Sequence, residues 1–303
     1  MRGWWQDLTD LVLPTECGGC GRPRTALCPE CRTALSGAAP RVVRPVPEPP
    51  GLPTVHAASR YADEVRSVLL AHKERGALAL AAPLGTALAG AVRAGLSGDQ
   101  ARDSRPVLLV PVPSARKAVR ARGHDPARRI ALAAAGELRR SGVPARVVAV
   151  LRQRRAVADQ AGLNSRQRLD NLTGALAVAP AGAGLLAEGP VVLVDDLMTT
   201  GASLTEAARA VRAATAAVAA RGGTDGTAGY SWADGPEAYV RRAAAVYAGA
   251  PRERTEERRT GSMDEAADRR HGVRGTAGTH RARDPICAAV VAASPGSFEI
   301  NRN

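Results

Sequence analysis

The sequence predicts an α/β protein, a doubly wound and mostly parallel sheet preceded by a small N-terminal metal-binding ribbon. Three observations carry this. Apolar runs rich in valine, leucine and isoleucine recur at residues 107–112, 145–151, 191–194 and 286–291, with helical stretches between most of them. Runs that are apolar at successive positions, as these are apart from Arg146 in the second, mark strands covered on both faces. Two Cys-x-x-Cys pairs, Cys17/Cys20 and Cys28/Cys31, stand near the N-terminus. The run at 191 leads into Asp195-Asp196 and then Thr199-Thr200-Gly201-Ala202-Ser203. Open α/β sheets bind ligands at such carboxyl ends of strands.

Composition narrows the partners. The 303 residues suffice for one sizeable core with appendages, or two small domains. Forty of the 42 basic residues are arginine, phenylalanine occurs once, and alanine is abundant, a pattern of GC-rich codon usage. The charge is independent of that bias. Residues 102–170 carry +11 of the chain's +13, a field that favours nucleic acid, a polyphosphate or an acidic protein surface. No aromatic residue lies between Tyr61 and Tyr230, which removes the stacking platforms of a single-strand binder from the core. The N-terminus has no continuous apolar stretch of the secretory kind. The longest apolar run, 77–96, is interrupted by Pro83 and Arg93 and reads as an amphipathic helix rather than a membrane span. A cytoplasmic location is expected.

Residues 1–13 carry Trp4, Trp5, Leu8, Leu11 and Val12 on one side of a short helix. The two Cys-x-x-Cys knuckles follow, and each turn aims two sulfurs at one centre, as tetrahedral zinc requires. Four thiolate ligands leave no open position, so a structural zinc is expected. Cys287 reads as a core cysteine. Residues 1–36 thus form a first unit, the Pro/Gly-rich 37–53 a linker, 54–220 with 285–303 the α/β domain, and the Gly-, Thr-, Arg- and Glu-rich 221–284 a disordered insertion, with one transient helix at 239–247. Within the α/β domain we expect a strand at 54–61, a helix at 63–73 with His72 as a packing residue, and a helix at 78–96. A polar turn spans 97–105, and the strand at 107–112 ends in Pro111-Val112-Pro113-Ser114. The basic segment 115–125, with Arg116, Lys117 and Arg122, leads to a helix at 126–140. The strand at 145–151 runs into an arginine-laden stretch, 152–171, containing Arg166 and Arg168, which reads as a lid.

The stretch 191–203 supplies two chemistries side by side. Its carboxylates accept from neighbouring hydroxyls, and the small and hydroxylic turn offers free backbone N–H groups at a helix N-terminus, an anion site. Ser203 with Glu206 has the spacing of a capping box for that helix. A ribose 5-phosphate presents both groups at about that separation. The chain's two lysines, Lys73 and Lys117, are not in a Gly-Lys-Ser/Thr loop, and no lysine follows residue 117. A Walker-type nucleotide site and a receiver-domain acid pocket are both excluded on that ground.

The thirteen residues 191–203 closely resemble the signature of type I phosphoribosyltransferases, which bind 5-phosphoribosyl 1-diphosphate (PRPP). The resemblance implies that Asp195 and Asp196 hold the ribose 2- and 3-hydroxyls and that Thr199, Thr200, Gly201, Ala202 and Ser203 hold the 5-phosphate. It also implies magnesium bound with the diphosphate. The double Cys-x-x-Cys head, the Pro-Val-Pro strand end, Arg122-Gly123 before a helix, the pattern Gln160, Leu163, Arg168, Asn171, and the final strand with Ser294-Pro295 together resemble the ComF/GntX family. These are phosphoribosyltransferase-like proteins, several linked to DNA uptake. His124 and Asp125 depart from that family's pattern. Lys73, Arg116, Lys117, Arg122, Arg166 and Arg168 are the candidates for the diphosphate or its lid. Three functions follow as expectations: magnesium-dependent phosphoribosyl transfer to an unread acceptor, a non-catalytic PRPP- or nucleotide-binding adaptor for a DNA-uptake or recombination partner, and a zinc-containing nucleic-acid binder.

Overall fold

The computed structural model describes residues 16–96, 98, 104–155, 165–222 and 286–298. In chain order its elements are α1 (Pro29–Ser36), β1 (Arg41–Val43), β2 (Thr54–Arg60), α2 (Asp63–Glu74), α3 (Ala81–Gly95), β3 (Val107–Pro111), α4 (Arg116–Arg122), α5 (Pro126–Arg140), β4 (Ala145–Val147), β5 (Leu151–Gln153), α6 (Ser165–Leu172), β6 (Leu176–Val178), β7 (Val191–Met198), α7 (Ala202–Gly222) and β8 (Ile286–Ala293). Six strands form one sheet in the order β1-β2-β8-β7-β3-β4, and only β1 runs antiparallel to its neighbour. β5 and β6 make a separate antiparallel pair.

The unbroken apolar runs have the cause expected of them. Along β7, Val192 and Val194 enter one core and Val191 and Leu193 the other; along β3, Leu109 enters the first and Leu108 and Val110 the second. The first core is closed by α1, α2, α3 and α5, the second by α7 and the β5–β6 pair. Alternate side chains therefore find apolar partners on both sides of the sheet, the condition under which a parallel sheet is stable. Cys17, Leu27, Cys28, Cys31 and Leu35 belong to the first core, so the cysteine ribbon shares its packing with α2 and α3.

Strand order places the site. From β3 the chain passes through α4 and α5 to β4 at one edge, and from β7 it crosses to β8 on the opposite side. Adjacent strands whose connections diverge leave a crevice between their carboxyl ends, where ligands of such sheets bind. Here that crevice lies between the ends of β3 and β7, which carry Pro111-Val112-Pro113-Ser114 and Asp195-Asp196.

Several local expectations need correction. The basic segment after β3, read as leading into the helix at 126, carries a helix of its own: residues 116–122 are helical, and Gly123 ends the turn at φ 76°, a left-handed conformation that glycine adopts without strain. The apolar run 145–151 divides, because after Val147 the chain donates one more bond, Val148 N–H to Leu109 O at 2.8 Å, and then leaves the sheet to pair β5 with β6. The strand at 191 does not stop before its acids. It continues to Met198, with Asp195 opposite Val290 and Met198 opposite Ala293. Residues 41–43, within the segment read as a linker, form β1. The proposed helices at 1–13 and 239–247, most of the polar turn at 97–105, Gln160 and Leu163 of the lid, and the insertion after residue 222 lie outside the described residues.

An 18-residue window, Leu78–Gly95, which covers a short 3-10 turn and then α3, is long and apolar enough by composition to cross a membrane, and half of it is buried in the protein. Its buried face meets α5 closely: a Cβ on Gly85 would lie 2.5 Å from Ala133 Cβ and 2.8 Å from the Ala133 carbonyl carbon and the Ala134 nitrogen. Two of those atoms are backbone and cannot rotate away. We therefore expect Gly85→Ala to destabilise, because overpacking of roughly 1–3 kcal/mol exceeds the gain in helix propensity of about 1 kcal/mol. Urea unfolding should show a lower midpoint; an unchanged or higher midpoint would contradict this packing.

Candidate functional site

Asp195 and Asp196 are consecutive residues of a strand, so their side chains leave it on opposite faces. Asp196 is buried and turned toward α2, where Lys73 Nζ donates to its Oδ2 at 2.8 Å. Asp195 is half-buried, and its Oδ1 accepts from the Asp196 N–H at 2.8 Å. Burial first, and then the Asp196 charge beside it, push the Asp195 carboxyl well above the usual carboxylate range, against a smaller opposing pull from Lys73. Burial works to lower the Lys73 ammonium, but attraction to Asp196 and Asp195 outweighs it and the net direction is upward. Lys73 thus pairs with Asp196 directly and attracts Asp195 only through space.

The turn beyond Met198 is built for close approach. Gly201 holds φ 76°, and a Cβ there would lie 3.2 Å from Leu52 and 3.3 Å from Pro45. The segment before β2 therefore packs on this turn, tied by Arg212 Nη1 donating to Gly51 O at 2.8 Å and by the Arg44 N–H donating to Ser297 O at 2.8 Å. Helix α7 begins at Ala202, and Thr205 N–H to Gly201 O at 2.9 Å is the bond that opens its first turn. The N–H groups of Ala202, Ser203 and Leu204 have no partner four residues back, which leaves them for an anion. Thr199 is exposed, Thr200 and Ser203 are half-buried, and Gly201 and Ala202 are buried.

The capping-box reading of Ser203 with Glu206 fails. Glu206 is buried and accepts from the Leu176 N–H at 2.9 Å, while Arg209 Nη2 donates both to Glu206 Oε1 at 2.7 Å and to Leu176 O at 2.9 Å. Burial works to raise the Glu206 carboxyl, but the Arg209 guanidinium and the backbone donors at Leu176 and Gly174 outweigh it, and the net direction is down. The pair supplies an acceptor and a donor to one residue of β6, as a neighbouring strand would, and so fastens the β5–β6 pair to α7.

Two histidines 52 residues apart in the chain stand beside Lys73. The His72 and His124 ring centroids are 5.6 Å apart, and the two nitrogens of His124 each lie 3.2 Å from a backbone carbonyl, of Arg122 and of His72. His72 is fully buried, with Nδ1 3.4 Å from Ala77 O and Nε2 without a partner. Burial is the main cause that holds its pKa below the ordinary histidine value. His124 thereby ties the turn after α4 to the end of α2. The only hint in sequence is that His72 follows Val65, Val68 and Leu69 at helical spacing, with Lys73 as its neighbour.

Of the remaining basic candidates, Arg122 reaches this cluster, but its Nε pairs with Glu74 at 3.2 Å while Nη1 is buried without a hydrogen-bond partner. Arg116 and Lys117 are exposed on α4. Arg166 is exposed on α6, and Arg168 is half-buried with its Nε unpartnered. Among the described residues no hydrogen bond or ion pair joins Arg116, Lys117, Arg166 or Arg168 to the acid pair.

The four N-terminal cysteines converge as the spacing requires. Their Sγ atoms lie within 4.8 Å of one another, with Cys20 and Cys28 at 3.6 Å, and the Cys28 N–H donates to Cys17 Sγ at 3.3 Å. Bonds of about 2.3 Å from a tetrahedral zinc imply S–S edges of about 3.8 Å, so the set is close enough to hold one ion and fits zinc. Burial works to raise the Cys17 thiol, but backbone donors at Cys20, Cys28 and Gly19 bring it down to about 6; burial and the neighbouring thiols push Cys31 up. A central dication is what allows all four to ionise. No known family model matches the chain, and no curated protein matches it.

Two outcomes follow from these geometries. Purified protein should carry one zinc per chain by elemental analysis, and Cys28→Ser should lose the metal and lower the melting temperature. Asp195→Asn should raise the melting temperature at neutral pH. A carboxyl whose folded pKa is raised costs stability once ionised, and that cost accrues from the ordinary value of about 3.9 upward. The gain should be roughly 1–2 kcal/mol at pH 8 and fade as the pH falls toward 4, read from thermal scans across pH.

Proposed function

We propose that the protein is a phosphoribosyltransferase-like PRPP-binding protein with a type I fold. The observation that carries the proposal is the junction of an acid pair on β7 with the left-handed Gly201 turn at the start of α7, at the point where the strand connections diverge. Asp195 and Asp196 accept from the ribose 2- and 3-hydroxyls. The N–H groups of the first turn of α7, with Thr199, Thr200 and Ser203, take the 5-phosphate. The excess of one carboxylate over Lys73 favours a further cation at the site, which supports a magnesium–diphosphate complex in preference to a free sugar phosphate. Magnesium, when bound there, spreads the charge of the leaving diphosphate. Lys73, paired with Asp196, and Arg122, close enough to Lys73 to act on its charge, serve that diphosphate charge. The exposed Arg116, Lys117 and Arg166, with Arg168, serve as a lid only if they move inward.

For transfer, an acceptor nucleophile bonds to C1 of the ribose as the C1–oxygen bond to diphosphate breaks, and diphosphate leaves with the electron pair. The absence of aromatic residues between Tyr61 and Tyr230 disfavours a stacked purine as acceptor. Calorimetric titration with PRPP and magnesium decides the matter. We expect saturable binding, reduced at least 100-fold by Asp195→Asn combined with Asp196→Asn, and diphosphate release with one class among base, amine and ammonia acceptors. Binding without release for any acceptor would favour an adaptor that reports PRPP to a DNA-uptake partner. No PRPP binding, with steeply salt-dependent DNA affinity untouched by those substitutions, would favour a zinc-containing nucleic-acid binder.

A further inference from the structure

The ribbon and the acid pair are joined by one helix. Gly18 and Gly19, inside the first Cys-x-x-Cys knuckle, lie against the opposite side of α2 from the acids. A Cβ on Gly18 would fall 2.6 Å from Leu80 Cδ1 and 3.4 Å from Ala71 Cβ, and one on Gly19 would fall 3.3 Å from Val68 and 2.6 Å from Cys31 Sγ. Val68, Ala71 and Leu80 are buried and share a core with Cys17, Cys28 and Cys31. The residues that follow Ala71 are His72, locked by Ala77 O and His124, and Lys73, whose ammonium meets Asp196. Side chains three and four apart share a face of a helix, whereas neighbours such as Ala71 and Lys73 do not. One face of α2 is therefore set by the knuckle while the opposite face delivers Lys73.

We propose that the metal-held knuckle positions Lys73: by clamping α2 through Gly18 and Gly19, it fixes the ammonium against Asp196, so that zinc occupancy governs the acid pair's affinity for its ligand. Without the ion, four sulfurs, of which those of Cys17, Cys28 and Cys31 are buried, lose their common centre and the knuckle loses its shape. The surface that Gly18 presents to Ala71 and Leu80 then has nothing to hold it in place, and the last turn of α2 is free to shift. A shift of about 1 Å breaks a 2.8 Å ion pair with a buried carboxylate. Linkage requires the reverse effect as well, so a ligand on the acid pair slows zinc loss. The consequence for PRPP affinity rests on the function proposed above; the effect of zinc on Lys73 does not.

The chain's lysine content makes this measurable. Lys73 and Lys117 are its two lysines, so reductive methylation of the full chain with ¹³C-formaldehyde yields two lysine resonances besides the N-terminal amine, assigned with Lys73→Arg. In the zinc-loaded protein the Lys73 resonance should stand apart from that of exposed Lys117. Removing zinc with a chelator under reducing conditions should move it toward the Lys117 position and weaken PRPP–magnesium binding at least tenfold. Gly18→Ala isolates the mechanical link, because Gly18 is no ligand and its φ is one that alanine adopts freely, leaving the contact with Leu80 as the source of strain. That variant should retain its zinc and still displace the Lys73 resonance, and adding Leu80→Ala should restore it. A Lys73 resonance unmoved by zinc removal, or unmoved in zinc-loaded Gly18→Ala, overturns the proposal. If the wild type binds no PRPP, the functional reading falls, and the resonance still decides the coupling.

Discussion

Two adjacent carboxylates on a strand that is otherwise apolar on both faces are the constraint around which this molecule is arranged. Asp196 is buried, and a buried carboxylate is tolerated only with a cation and hydrogen bonds to hold it. Lys73 supplies the cation from α2, and α2 can supply it only if its last turn is held still. His124 braces that turn from the side of α4 and α5, and the cysteine ribbon braces the same helix from behind. Among the described residues Asp195 makes no ion pair of its own, and burial beside Asp196 disfavours its charge at the point where the strand connections diverge.

The ribbon is consequently more than a cap on the N-terminus. Its cysteines and Leu35 lie in the same core as α2, α3, α5 and one face of the sheet. An element that resembled a separate module in sequence is a structural wall of the domain beside it. The same holds for residues 44–53, which pack Pro45 and Leu52 on Gly201 and thereby close one side of the turn at the start of α7.

Much of this was legible in the linear chain. Strands at 107, 191 and 286 were visible because burial on both faces demands apolar residues at every position, and that demand is written directly into composition. The start of helix α5 was visible: Pro126 fits a first turn, and Asp125 accepts from the Arg128 N–H at 3.2 Å. The cysteine site was visible because its four ligands come from two short turns with fixed geometry. Glu206 was misread for the opposite reason. A capping box and a clamp on a distant strand have the same local spacing, and only the position of Leu176, thirty residues earlier in sequence, distinguishes them.

By itself the sequence determined the buried strands, the helix that follows the acids and the convergence of four sulfurs, all of which depend on side chains a few residues apart. Tertiary structure alone decided that Lys73, from 123 residues upstream, neutralises Asp196 and not Asp195. It also decided that His124 meets His72 and that Gly18 lies against Ala71. Each of these depends on which face of a strand or helix is turned toward which neighbour. That is fixed by strand order and by the close approach of α2 to the ribbon, neither of which leaves a periodic trace in the chain.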